Sequence, residues 1–282
     1  MVNSSIVHVS GGGQFKASCS AQLTGFTLAE VLITLGIIGI VAALTIPGLV
    51  TNYRNKSYVN QLKVGISILQ EGFQRAMAED LSGGDIRGTE LFNTCNGKLF
   101  NDDQLWADTC FPVLARYFKG IKQISQPEMV AQGDTSNIIT DKEKCKQLVG
   151  KTNKWYYLND NTKCRGWKNM SYTLLNGSRI DITISDHEWF SGAITLDVNG
   201  DAGPNTWGRD TFYLYIMNDG TITPHSSPRV YSDCVKYYGN EESCASKNLR
   251  PEDYEQYCSK TSTEDGIKCA ARIMNEGWVM NY

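Results

Sequence analysis

The feature that most constrains this chain is an apolar run near its amino terminus, from Phe26 to Val50. Seventeen of its 25 residues are apolar, and only Glu30 is charged. A helix of about 20 apolar residues crosses the hydrocarbon core of a bilayer, because each residue adds about 1.5 Å of length. The run therefore predicts a membrane-spanning helix.

A secretory signal peptide is the alternative to a permanent span. Such a signal has an apolar core of roughly 7 to 15 residues, followed by a small-residue cleavage site. Here the run is longer, a Gly/Ser-containing segment precedes it, and no Ala-x-Ala-like site follows at 46–51. We therefore expect an anchor that stays in the mature protein.

The residues at the start of the run read GFTLAE over 25–30, and the apolar stretch follows at once. This string resembles the processing signal of type IV pilins and type II secretion pseudopilins. The resemblance implies that a prepilin peptidase cuts between Gly25 and Phe26 and methylates the new amino group of Phe26. It also implies that Glu30 acts in subunit assembly and that Pro47 kinks the first helix.

Glu30 also raises a physical question of its own. An ionisable side chain inside a membrane helix costs at least about 2.5 to 3.5 kcal/mol, so it needs a partner or a function. In the family that this chain resembles, the carboxylate meets the positive amino terminus of a neighbouring subunit. The alternative is a solvated glutamate near the membrane edge.

Cysteine usage indicates the compartment of the segment beyond the span. Cys19 precedes the span, and eight cysteines follow it: Cys95, Cys110, Cys145, Cys164, Cys234, Cys244, Cys258 and Cys269. An even set predicts up to four disulfides in an oxidising compartment. The sequence contains no Cys-x2-Cys pair, so a metal site is a weak alternative. Proximity favours Cys95 with Cys110 and Cys145 with Cys164, whereas local and nested pairings of the other four stay open.

These disulfides support an amino terminus inside and a head outside the bacterial inner membrane, with a single pass. The positive-inside rule does not support this orientation, because only Lys16 precedes the span while Arg54, Lys56 and Lys63 follow it. We keep the orientation that the cysteines indicate.

Beyond the span, apolar residues recur at steps of three and four, which predicts that the helix continues with one hydrophobic stripe. The stripe consists of Val59, Leu62, Ile66, Leu69, Phe73, Met77 and Leu81. A separate juxtamembrane helix or coiled coil would show the same pattern. We therefore expect four segments: a leader at 1–25, a transmembrane half-helix at 26–50, an amphipathic half-helix at 51–82 and a globular head at 83–282.

Strand patterns appear in the second half of the head. Tyr172–Leu175 and Arg179–Ile184 predict a hairpin with a type I′ turn at Asn176-Gly177. Further strands are expected at 193–198, 211–217 and 221–223, and a final helix near 265–275. An antiparallel sheet would cover the helix stripe. The predicted fold class is α+β and, by resemblance, pilin-like.

One loop carries the side chains of a candidate calcium site. Asp197, Asn199 and Asp201 alternate around a glycine, and Asp210 follows. Oxygen ligands at this spacing suit a hard cation such as Ca²⁺, and pseudopilins often carry calcium in a head loop. However, Gly208 occupies the place where an EF-hand loop has its glutamate, which leaves Asp210 as a substitute. The alternative is an Asx-rich turn between two strands.

Catalysis finds little support in the sequence. Beyond the leader only His187 and His225 remain, without a nucleophile elbow, a phosphate loop or a zinc-protease motif. The aromatic clusters, such as Tyr237-Tyr238, favour packing over a sugar platform. With 27 basic against 30 acidic residues, a nucleic-acid-coating surface is not expected either.

The resemblance therefore implies a structural filament subunit, a minor one given its large head, rather than an enzyme. Its partners would be prepilin peptidase, other pilin or pseudopilin subunits, an inner-membrane assembly platform and membrane lipid. Nucleic acid would enter only through a DNA-uptake filament. The alternative function is a membrane-anchored binding module or adhesin that does not polymerise.

Overall fold

The computed structural model describes residues 26–97, 103–123, 138–149, 154–166, 170–200, 202–251, 254–259 and 261–282. The predicted leader at 1–25 lies outside the described residues. The chain divides into two units, Met1–Leu49 and Val50–Tyr282.

A single long helix, α1, runs from Leu28 to Glu79 and continues through Pro47. In the first unit, every described side chain except Ala42 is exposed, although most of them are apolar. The Thr34 and Thr45 hydroxyls donate to backbone carbonyls of the same helix, at 3.0 and 2.9 Å. With a mean hydropathy of 2.3 in its most apolar window, the helix is long and apolar enough to cross a membrane.

In the second unit, α1 buries one stripe of side chains. The buried residues are Val59, Leu62, Gly65, Leu69, Gly72, Phe73, Ala76 and Met77. Leu81, which the spacing placed on this stripe, is instead 87% exposed and has a left-handed backbone. The reason is that the helix ends before it: the Ser82 N–H donates to the Met77 carbonyl and closes the last turn.

The stripe shares a core with a six-stranded antiparallel sheet. Its strands are β1 (Lys122–Gln123), β5 (Met170–Thr173), β6 (Arg179–His187), β7 (Phe190–Asp197), β8 (Thr211–Met217) and β9 (Ile222–Pro224), in that spatial order. Alternate residues such as Ile182, Ile194 and Leu214 belong to the core with α1. The intervening positions, such as Asp181 and Thr195, lie on the opposite side, which we call the polar sheet face.

The β5–β6 hairpin is present, but its predicted type I′ turn is wrong. Asn176 is absent from the described residues with positive φ, and only Gly177 adopts a left-handed conformation, with φ of 84°. The Gly177 N–H donates to Leu174, and the Leu174 N–H donates to Ser178. This is a three-residue loop with glycine in the left-handed position, which continues the twist of the strands equally well.

A smaller sheet and several short helices complete the head. The small sheet has the order β2 (Ile138–Ile139), β4 (Asp160–Arg165), β3 (Trp155–Tyr157). The other described α-helices are α2 (Glu90–Cys95), α3 (Asp103–Tyr117), α4 (Lys142–Leu148), α5 (Pro228–Tyr238), α6 (Glu241–Ser246), α7 (Tyr254–Tyr257) and α8 (Cys269–Asn275). Polar N-cap side chains accept backbone N–H groups and fix where α2, α4, α5 and α6 begin.

Four disulfides connect these short elements. The pairs are Cys95–Cys110, Cys145–Cys164, Cys234–Cys244 and Cys258–Cys269. Every pair is local, with sequence separations of 10 to 19 residues, and the two pairs expected from proximity are among them. A closed loop of about 15 residues contributes roughly 3 kcal/mol in the chain-entropy view, so the bridges stabilise helices too short to stand alone.

Gly72 provides a test of how closely α1 packs. A Cβ atom added there would lie 2.3 Å from the Phe118 ring, which is itself buried and packs edge-on against Phe73 at 5.1 Å between centroids. We expect Gly72→Val to lower the free energy of unfolding by about 1 to 3 kcal/mol through overpacking. Thermal unfolding of the full chain in detergent micelles measures this change.

The matched control is Gln74→Val, which introduces the same side chain on the exposed side of the same helix. Its effect should stay within about 0.5 kcal/mol. Equal destabilisation by the two variants would contradict the close approach of Phe118 to α1.

Candidate functional site

The first turn of α1 holds the residues expected to act in assembly. The Glu30 carboxylate accepts hydrogen bonds from the Thr27 backbone N–H and hydroxyl, at 2.8 and 2.9 Å. In return, the Glu30 N–H donates to the Thr27 hydroxyl at 3.2 Å. This reciprocal pair is a capping box, which satisfies backbone donors that the helix start leaves free.

The capping box gives Glu30 an intrahelical role that the sequence prediction did not include. The signal was present as Thr-x-x-Glu directly before an apolar run. Phe26, the expected new terminus, is 87% exposed and lies immediately before the cap. Gly25 lies outside the described residues, and the kink at Pro47 stays a prediction.

In the head, the structure brings Asp197 and Asp210 together at the ends of neighbouring strands. The Val198 N–H donates to the Asp210 backbone carbonyl at 2.8 Å. The Asp210 carboxylate accepts the N–H groups of Asn205 and Thr206, at 2.8 and 2.7 Å. Both carboxylates are almost completely buried; Asp197 lies on the polar sheet face, and Asp210 directly precedes β8.

Burial disfavours the charged form of this pair. It raises the pKa of Asp197 well above the usual range, and the neighbouring Asp210 charge raises it further. Burial also raises the pKa of Asp210 to about 6, although backbone N–H groups act in the opposite direction. Two buried carboxylates this close together favour the binding of either a proton or a cation.

The remaining calcium candidates fit a cation only in part. Asp197 Oδ1 and Asn199 Oδ1 are buried and accept no hydrogen bond in the described part of the chain. The Asn199 Nδ2 donates to two loop carbonyls, Ala202 and Gly203, at 2.8 and 3.1 Å, which holds the amide in place. Asp201 lies outside the described residues, among which no group of three or more His, Cys, Asp or Glu side chains could hold a metal.

A second buried charge cluster lies on the same sheet face. Asp181 contacts the Ser171 hydroxyl and lies 3.9 Å from the Arg179 guanidinium. Burial raises the pKa of Asp181 to about 7, although Arg179 and Ser171 lower it. This cluster was not predicted, but charged residues alternating with isoleucines in β6 could have indicated it.

The two histidines occupy different environments. His225 is buried, with its Nδ1 2.7 Å from the Ser226 hydroxyl, and burial lowers its pKa to about 3, so its imidazole is neutral. His187 is exposed at the β6–β7 turn and stacks on Phe190 with ring centroids 4.3 Å apart. The Ser226 hydroxyl is completely buried, so this Ser–His contact is not accessible to a substrate.

Comparison with known proteins gives one informative match. The chain is 38% identical over 80 residues to the type IV major fimbrial protein FimA of Dichelobacter nodosus. These residues are 28% of this chain and 46% of the relative, so the chain spans about half the length of the curated relative it matches. No protein-family model and no solved structure matches the chain.

Three observations now agree: a long apolar amino-terminal helix, an α+β head with an antiparallel sheet and four disulfides, and similarity to a fimbrial subunit. Together they fit a type IV pilin-like architecture.

Proposed function

We propose that this chain is a structural subunit of a type IV pilus or a type II secretion pseudopilus and that it assembles through α1. The observation that carries the proposal is the start of α1. A capping box follows directly on the expected cleavage site, and nearly all of the described apolar side chains of the first unit are exposed. Neighbouring helices or lipid would cover this surface.

Processing would act on the first turn of this helix. In this proposal, prepilin peptidase removes residues 1–25 after Gly25 and methylates Phe26. The new positive amino terminus then lies at the positive end of the helix dipole, which is unfavourable. The Glu30 carboxylate of a neighbouring subunit would neutralise this positive charge. The same ion pair would offset the free-energy cost of placing a glutamate in the membrane.

The cellular setting of the proposal follows from the disulfides. They require an oxidising compartment, so the head would lie outside the inner membrane and the amino terminus inside. The large disulfide-bonded head favours a minor subunit. Other pilin or pseudopilin subunits and an inner-membrane assembly platform would be its partners, and nucleic acid would be met only in a DNA-uptake filament.

Glu30 tests assembly, and Thr27 separates its charge from its capping role. Glu30→Gln removes the charge but keeps a side chain that can cap. Thr27→Ala weakens the cap by about 1 kcal/mol and leaves the Glu30 charge. We expect Glu30→Gln to reduce incorporation into filaments about tenfold or more, because the partner charge is left buried and unpaired.

The measurement is the amount of the chain in sheared filaments relative to the membrane fraction, by immunoblot in cells that express the assembly system. Thr27→Ala should incorporate nearly as well as the wild type. If Thr27→Ala reduced incorporation into filaments and Glu30→Gln did not, the motif would act in helix capping alone. Normal incorporation of Glu30→Gln would favour an anchored module that does not polymerise.

We further propose that the β7–β8 loop binds Ca²⁺ through Asp197, Asn199 and Asp210, with Asp201 as an added ligand. The two buried oxygens without hydrogen-bond partners, on Asp197 and Asn199, support this site. Calcium takes about six to eight oxygen ligands, so backbone carbonyls or water would complete the shell. The cation would neutralise two carboxylates that burial otherwise destabilises.

Thermal unfolding of the full chain in Ca²⁺ and in chelator tests this proposal. At roughly 100 times its Kd, the ion should stabilise the fold by about 2.7 kcal/mol. Asp197→Asn should abolish the shift, and Asp186→Asn, an exposed acidic residue of β6, should retain it. An unchanged Tm for the wild type would leave the loop as an Asx-rich turn.

A further inference from the structure

A cavity of about 230 Å³ lies between the β6–β7 turn and the α5–α6 region. Trp189, Phe190 and Tyr215 form one wall, and Tyr238 and Leu249 contribute to the rest of the lining. None of these residues takes part in the proposed processing, assembly or calcium binding. The cavity therefore raises a separate question of what it holds.

The first wall is already formed by packed side chains. The rings of Trp189, Phe190 and Tyr215 pack on one another, with centroids 4.6 to 5.5 Å apart and planes inclined by 55 to 64°. They join a hydrophobic cluster that also contains the buried Cys234–Cys244 disulfide between α5 and α6. Such preorganisation lowers the entropic cost of binding a small ligand.

The polar groups of the cavity balance in charge. Glu188 and His187 are exposed at its rim, and the Lys247 ammonium lies 5.1 Å from the centroid of the Tyr238 ring. One carboxylate and one ammonium leave no net charge to select an anion or a cation. They do offer a hydrogen-bond acceptor and a donor close to aromatic walls.

Tyr215 adds a hydroxyl to the lining of the cavity. The residue is half-buried, and burial raises the pKa of the hydroxyl, so it stays protonated. A phenol hydroxyl both donates and accepts hydrogen bonds. It can therefore pair with a hydroxyl of a ligand in the cavity.

We propose that this cavity is a binding site for a single neutral sugar ring. A pyranose has an apolar C–H face that packs on aromatic rings, and hydroxyls that both donate and accept hydrogen bonds. Drug-sized ligands occupy pockets of about 300 to 1,000 Å³, so a cavity of about 230 Å³ suits one ring. A sugar ring can hydrogen-bond to Glu188 and Lys247 at the rim, whereas an aromatic side chain of another protein would make no use of them.

This assignment changes the sequence-based reading of the Tyr237-Tyr238 pair, which favoured packing alone. The structure separates the two neighbours: Tyr238 lines the cavity, whereas Tyr237 is exposed and is not part of the lining. Tyr238 packs edge-on against Tyr237, with centroids 4.8 Å apart, which holds its ring in place.

Saturation-transfer NMR on the full chain, in micelles of a detergent without a sugar headgroup, tests the site. The probes are glucose, galactose, mannose and N-acetylglucosamine, with glucuronate and glucosamine as charged comparators. We expect transfer to at least one neutral sugar, and weaker transfer to its charged counterparts. Tyr238→Ala and Lys247→Ala should each lower the affinity about tenfold, through lost ring packing and a lost charged hydrogen bond.

The matched control is Lys236→Ala, which removes an exposed lysine of α5 that does not line the cavity. It should bind like the wild type, and an unchanged Tm shows that each variant is folded. No transfer to any neutral sugar would overturn the proposal. So would equal affinity in all variants, or binding of N-acetylphenylalanine amide in place of the sugars.

The sugar site does not rest on the filament function. Tyr238→Ala and Lys247→Ala should enter filaments like the wild type, so failure of assembly and failure of sugar binding are distinguishable.

Discussion

The packing of the α1 stripe against the six-stranded sheet is the interaction on which the rest of the head depends. From Val59 to Met77 the helix presents one buried side, and every strand that meets this core alternates apolar residues toward it. Two glycines make the approach close: a Cβ at Gly65 would lie 2.7 Å from Leu196, and Gly72 faces Phe118. In the first unit the same helix is apolar and exposed, which suits a surrounding of lipid. In the second unit only one side of it is apolar and buried, which suits the edge of a protein core.

On the polar sheet face, the head buries charged side chains instead of apolar ones. Asp181 and Asp197 are buried there, Asp210 is buried at the start of the neighbouring strand, and burial raises the pKa of each. Buried charges contribute little net stability, because desolvation offsets their attraction to partners. The four local disulfides stabilise the short helices around this sheet without requiring a larger core. A head built in this way can carry polar and aromatic sites while its fold rests on α1 and covalent bridges.

Local patterns predicted the parts of the structure that local forces decide. The apolar run, the amphipathic stripe and most strands follow from periodicity, which depends only on neighbours along the chain. Leu81 fitted the same periodicity, but a helix end is set by capping and turn geometry, and there the prediction was wrong. The role of Gly72 was not predictable, because Phe118 reaches it from a distant segment. The cavity likewise combines residues from a hairpin, a strand, a helix and the segment after α6, which no spacing reveals.

The central proposal is that a prepilin-type subunit is cut at the start of α1. Mass spectrometry of the membrane-bound product, made with and without a prepilin peptidase, tests it most directly. We expect an amino terminus at methylated Phe26, without residues 1–25, only when the enzyme is present. An intact Met1 in both samples, or a terminus near Thr51, would contradict the proposal and favour an anchored or secreted binding module.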